Sequence, residues 1–161
     1  MQIIFPKLTD LRLVSIGVEK IWSNQLIELS QYIQKLTTLV VDGCGNLNYV
    51  FTSSMIESLA QLKKLEISNC KSMEEVIATQ ELGRETVGGN ILFPKLEFLK
   101  IKCLPKLTRF CTGSFIEFPS LKVLHLESCH QLKRFIFDSM SSNVALLDHA
   151  LFDQKVTCFF Y

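Results

Sequence analysis

Cys129-His130, with Cys103 and Cys111 upstream, come nearest of any residues here to a metal-ligand set. A structural zinc site needs thiolate and imidazole ligands in short paired spacings such as C-x-x-C. That spacing is absent, and Cys129 recurs in register with Cys44 and Cys70, so no metal is expected. Glu74-Glu75 is a carboxylate pair, but adjacent side chains diverge instead of converging on one substrate atom, and a solvated edge is expected. His125 stands between Val123 and Glu127. As a general base it would need a nucleophile in reach, and no G-x-S-x-G elbow occurs. Gly43-Cys-Gly45 is too short to cradle a phosphate, and no G-x-x-x-x-G-K-[ST] loop exists. Lys63-Lys64 and Lys133-Arg134 are short basic pairs, not a nucleic-acid patch. The chain is expected to be non-enzymatic and to hold no cofactor.

These residues sit inside a recurring apolar pattern. Leu62, Leu65, Ile67, Cys70, Met73 and Val76 are spaced by three, two, three, three and three. That spacing fits neither a helix nor an alternating strand throughout, but a short strand running into a turning corner. The same register returns at Leu36, Leu39, Val41, Cys44, Leu47 and Val50, and at Leu121, Leu124, Leu126, Cys129, Leu132 and Phe135. It appears again at Leu96, Leu99, Ile101, Leu104, Leu107 and Phe110, with Leu104 in the cysteine place. A first copy, Leu8, Leu11, Leu13 and Ile16, blurs toward Trp22. The starts at Leu8, Leu36, Leu62, Leu96 and Leu121 are about 28, 26, 34 and 25 residues apart. This is the leucine-rich-repeat signature, one strand per repeat with the apolar positions inward. The expected fold is an α/β solenoid or horseshoe, with a parallel concave β-sheet and short helices or irregular coil on the convex side.

Composition agrees with one domain or a piece of one. The chain has 161 residues, 48% apolar, and a net charge of +1. Such a balance gives no bulk attraction to nucleic acid or anionic lipid. Six cysteines are present, yet Cys44, Cys70 and Cys129 share an interior position, while Cys103, Cys111 and Cys158 lie outside it. Met1-Gln-Ile-Ile-Phe5 runs straight into a repeat without a signal-peptide pattern. Free buried thiols in a reducing compartment, the cytoplasm, are the simplest reading. No apolar run approaches the roughly 20 residues of a membrane span.

The domain reading is repeats over 1–140, about five copies, with an insertion at 79–90, then an irregular tail over 141–161. Phe5-Pro6, Phe93-Pro94 and Phe118-Pro119 each precede a repeat, where proline fixes an extended lead-in and cannot continue a helix. Ser54-Met-Ile-Glu57 reads as a capping box opening a short helix through about Ala60. A second short helix is expected over Gln25 to Gln34. The insertion is polar and glycine-bearing, the mark of a tolerated surface loop. Neither end carries a polar cap, so the chain is expected to be cut from a longer protein.

Alternation along each strand fixes what the sheet presents outward. The rows are Asp10, Arg12 and Val14; Thr38, Val40 and Asp42; Lys64, Glu66 and Ser68; Phe98, Lys100 and Lys102; Val123, His125 and Glu127. Among these, Arg12, Val40, Asp42, Glu66, Phe98, Lys100, Lys102, His125 and Glu127 are the candidate binding residues. Mixed signs with exposed apolar groups suit a protein partner better than a phosphate backbone, which favours a stripe of one sign.

Leu39-Val-Val-Asp42-Gly-Cys44-Gly-Asn-Leu47-Asn-Tyr-Val-Phe51, Leu65-Glu-Ile67-Ser-Asn-Cys70-Lys-Ser-Met73-Glu-Glu-Val76-Ile77 and Phe93-Pro-Lys-Leu96-Glu-Phe-Leu99-Lys-Ile101 go further than a generic repeat. Over about residues 3 to 140 they resemble the C-terminal leucine-rich repeats of plant disease-resistance proteins, nearest the coiled-coil, nucleotide-binding class. The resemblance implies intracellular recognition of a pathogen effector or host protein, or contact with the nucleotide-binding domain of a parent protein. It transfers no functional residue, and the family's ADP/ATP site lies in a domain not seen in this sequence. The alternative is the substrate-binding repeats of an F-box-type ubiquitin-ligase adaptor.

Overall fold

Leu11, Leu39, Leu65, Leu99 and Leu124 stand side by side on five consecutive parallel strands. The computed structural model describes residues 8–22, 32–78, 91–111 and 116–132, and the backbone of strands at 134–139, 142–148 and 156–159. In chain order the strands are β1 (Asp10–Val14), β2 (Thr38–Asp42), β3 (Phe51–Thr52), β4 (Lys64–Ser68), β5 (Glu75–Ala78), β6 (Ile91–Leu92) and β7 (Phe98–Lys102). They continue with β8 (Arg109–Cys111), β9 (Ile116–Glu117), β10 (Val123–Glu127), β11 (Arg134–Ser139), β12 (Ser142–Asp148) and β13 (Val156–Phe159).

The principal sheet has the order β1-β2-β4-β7-β10-β13, parallel except at β13. Two smaller sheets, β3-β5-β8 and β6-β9-β11-β12, are formed by the returning segments. Parallel neighbours one repeat apart, joined through a second and third ladder, make the chain a solenoid. The leucine-rich-repeat architecture read from the apolar spacing is present, with parallel strands and little helix.

The core runs the length of the array as columns. Leu39, Leu65, Leu99 and Leu124 have no exposed surface, and neither do Val41, Ile67, Ile101 and Leu126 in the next column. Beyond the strand, Cys44, Cys70, Leu104 and Cys129 form a third buried column, and Leu47, Met73, Leu107 and Leu132 a fourth. Each full burial of such a side chain contributes about 1.5–3 kcal/mol, but only a neighbouring rung supplies the cover. The first rung shows the converse: Leu11 and Leu13 on the edge strand β1 are only half-buried.

Backbone bonds repeat rung by rung. One carbonyl accepts two successive N–H donors at each strand start: Thr9 from Thr37 and Thr38, Thr37 from Lys63 and Lys64, Lys63 from Glu97 and Phe98, and Glu97 from Lys122 and Val123. After each of β1, β2, β4, β7 and β10 the chain takes one residue into the left-handed region: Ser15 (φ 54°), Gly43 (67°), Asn69 (54°), Cys103 (52°) and Ser128 (54°). Glycine at 43 suits this corner, since without a Cβ it takes a positive φ at little cost. Its four counterparts are not glycine and accept the strain typical of that region. The corner N–H still joins the ladder: Ser15 donates to the Asp42 carbonyl at 2.8 Å and Cys103 to that of Glu127 at 2.8 Å.

Two details differ from expectation. The segment after Thr52 is a 3-10 helix, Ser53–Leu59, with Thr52 as its N-cap residue and no side-chain capping bond. The Ser54 hydroxyl is instead 3.0 Å from the Thr52 hydroxyl, so the capping box does not form. The tail is not irregular throughout. β12 pairs antiparallel with β11, and β13 pairs antiparallel with β10 through Val123↔Phe159 to Leu126↔Val156. The physical reason is that an exposed strand edge carries unpaired N–H and C=O groups that a returning strand satisfies. The insertion at 79–90, the Phe5-Pro6 lead-in and most of the Gln25–Gln34 helix lie outside the described residues.

Candidate protein-binding face

The outward residues of the principal sheet fall into three rows across the strands. The first is Asp10, Thr38, Lys64, Phe98 and Val123. The second is Arg12, Val40, Glu66, Lys100 and His125, and the third Val14, Asp42, Ser68, Lys102 and Glu127. Each row arises because the inward leucines lock the register, and alternation then sends every second side chain to the opposite face.

Arg12 is exposed, and Asp42, Glu66, Phe98, Lys100, Lys102, His125 and Glu127 are half-exposed on this face. Val40 is the exception. It is 5% exposed, and in its row it stands between the longer side chains of Arg12 and Glu66. Val40 is therefore a floor residue, not a contact residue.

Charges on the face are largely paired. Lys64 Nζ lies 3.1 Å from Glu66 Oε1 and 5.3 Å from the centroid of the Phe98 ring. Glu127 bridges two neighbours, with Lys102 Nζ 3.2 Å from Oε1 and His125 Nε2 3.1 Å from Oε2. An ionised carboxylate only accepts, so in this contact Nε2 carries the proton. Asn69 Nδ2 donates to Asp42 Oδ1 at 2.7 Å. Lys64 lies outside the nine candidate residues. Its position opposite Phe98 in register was a signal that it shapes the same patch.

The other groups with chemical potential are dispersed or buried. Glu75 pairs with Arg109 at 3.2 Å on the outer ladder, while Glu74 is exposed. The Cys70 and Cys129 thiols are pushed up to about 11, first by burial. As neutral donors they point at carbonyls two residues upstream, Ser68 at 3.2 Å and Glu127 at 3.4 Å. Among the described residues no group of three His, Cys, Asp or Glu side chains is placed to hold a metal. No described helix is long and apolar enough to cross a membrane.

A solenoid of stacked parallel strands with inward leucine columns is of the leucine-rich-repeat class. Residues 7–151 match the family described as plant disease resistance protein RPS2-like, leucine-rich repeats, and the chain belongs to that family. It is also 30% identical over 109 residues to "Probable disease resistance protein At4g27220" of Arabidopsis thaliana, covering 67% of this chain and 12% of that relative. The chain thus spans about an eighth of the length of the curated relative it matches. No solved structure matches. The repeats of this family are a recognition module.

Proposed function

We propose that this chain is the protein-sensing part of a plant defence receptor acting in the cytoplasm, and that its principal sheet face makes the contact. The partner is a pathogen effector, a host protein altered by one, or the nucleotide-binding domain of a parent protein. The observation that carries this reading is the three-row face itself: half-exposed aromatic, aliphatic and charged side chains held in fixed register over a stacked core. Fixed, pre-ordered side chains lose little freedom on binding, which favours recognition. The free, buried thiols of Cys44, Cys70 and Cys129 fit a reducing compartment. Nothing observed favours the ubiquitin-ligase adaptor over this reading.

The lysines provide a built-in test. Lys64, Lys100 and Lys102 lie on the sheet face, whereas Lys71 and Lys106 are exposed at the corners. Amine cross-linking of the tagged chain in healthy and infected leaf tissue, read by mass spectrometry, should place partner cross-links on the first set. Cross-links confined to Lys71 and Lys106 would contradict the proposal.

A further inference from the structure

Lys100 is a half-exposed cation in the middle of the principal sheet, and among the described residues it makes no hydrogen bond or ion pair. Its direct neighbours in register are Glu66 on β4 and His125 on β10. Both are already engaged, Glu66 by Lys64 at 3.1 Å and His125 by Glu127 at 3.1 Å. Lys102, two residues on, is held by Glu127 at 3.2 Å. The faces of β4, β7 and β10 together carry three lysines and two glutamates. One positive charge is left over, and the pairings assign it to Lys100.

The step before Lys100 on the same strand is apolar. Phe98 is half-exposed, and Val123 stands beside it in register on β10. Phe98 and Lys100 point to the same face, two residues apart. Such a pair is separated by roughly 6.5–7 Å along the strand. An extended peptide has the same repeat on one side, so it matches this step without distortion.

From this we infer that the β7–β10 face recognises an extended segment of a partner protein bearing an apolar and an acidic side chain two residues apart. The apolar side chain covers Phe98 and Val123, and the carboxylate meets Lys100. The inference rests on the sheet face being the contact surface and adds what the partner must present there. Charge complementarity argues for an acidic residue: a basic one would add to an uncompensated cation, and a neutral one would leave it desolvated and unpaired. The Lys102–Glu127 step is already neutral and makes no further charge demand.

A displayed library of random twelve-residue peptides, selected on the folded full chain, tests this. Enriched peptides should carry an acidic residue two positions from an apolar one. Lys100→Glu should weaken them by about tenfold or more, the scale of one lost charge-assisted bond, and a fresh selection on that variant should enrich basic residues instead. Phe98→Ala should weaken the same peptides. Circular dichroism must show both variants folded, and Lys100→Gln serves as the milder substitution if Lys100→Glu does not fold. An absence of enrichment, or an enriched motif indifferent to Lys100→Gln and Lys100→Glu, overturns the inference. Peptides that depend on Arg12, Phe98 or His125 but lack an acidic preference overturn it while leaving the sheet-face reading standing. Peptides unaffected by any sheet-face substitution overturn both.

Discussion

Phe93 and Phe118 stack with ring centroids 5.5 Å apart and planes 28° from parallel, and neither is more than 1% exposed. Phe51 meets Phe93 at a tilt with centroids 6.5 Å apart, and Phe110 meets Phe118 edge-on at 6.0 Å. The Phe93-Pro94 and Phe118-Pro119 lead-ins therefore do more than set an extended path. Phe93 and Phe118 join Phe51 and Phe110 in a run of aromatic contacts within the core. Truncating a buried phenylalanine typically costs about 3–5 kcal/mol. Phe118→Ala should lower the urea midpoint accordingly, with Phe118→Leu losing less. An unchanged midpoint would mean that these contacts contribute nothing.

Leu99 lies between Leu65 and Leu124 in register and has no exposed surface. Leu99→Asp places an unpaired charge in the middle of the array, a burial that no partner relieves. The far-ultraviolet circular dichroism melt should lose its cooperative transition. Leu99→Ala, which removes contacts without adding charge, should lower stability by about 2–5 kcal/mol. An unaltered melt for Leu99→Asp would refute the register.

The corner residues give a paired prediction of opposite sign. Gly43→Ala should destabilise. Its φ is +67°, and an added Cβ would sit 3.1 Å from Ser15 Oγ. Ser128→Gly should stabilise, because Ser128 holds the same conformation with a side chain attached. Left-handed strain for a non-glycine residue is about 1–2 kcal/mol, and thermal unfolding reads both. Equal effects of one sign would contradict the corner assignment.

Burial pushes the Cys70 and Cys129 thiols up to about 11 from an ordinary 9.0. The folded state keeps both protons to higher pH than the unfolded chain does. Their contribution is thus fully present below pH 9 and is lost as pH rises toward 11. Chemical denaturation at pH 8, 9.5 and 10.5 should show falling stability, and a Cys70→Ala, Cys129→Ala variant should show a flatter profile. Peptide-level iodoacetamide labelling at neutral pH should modify the half-buried Cys103 and Cys111 well before Cys70 and Cys129. Rapid labelling of Cys70 would count against its burial.

Much of this architecture was legible because each apolar column is written in the chain. Leu65, Ile67, Cys70 and Met73 recur at fixed spacing, and their burial follows from stacking. Alternation also placed Lys100 and His125 on the sheet face. What escaped depended on contacts between distant residues. Val40 is buried on the outward face of its strand, which no single-strand pattern reveals. The shared left-handed corner is hidden at Ser15, Cys103 and Ser128, because only Gly43 and Asn69 carry residue types that favour it. The antiparallel β13 lies almost thirty residues beyond β10 in the chain and follows from closing a sheet edge rather than from repeat spacing. Which cation stays unpaired was likewise settled by side-chain geometry among Lys64, Glu66, Lys102 and Glu127.

The most direct measurement compares two sets of substitutions in plant cells using proximity labelling by the full chain. One set, Arg12→Ala, Phe98→Ala and Lys100→Ala, alters the sheet face. The other, Lys71→Ala, Lys95→Ala and Lys106→Ala, alters exposed positions elsewhere. With both variants folded and equally expressed, we expect the neighbours labelled by the unaltered chain to vanish with the first set and persist with the second. Persistence with the first set, or loss only with the second, would contradict recognition by the sheet face.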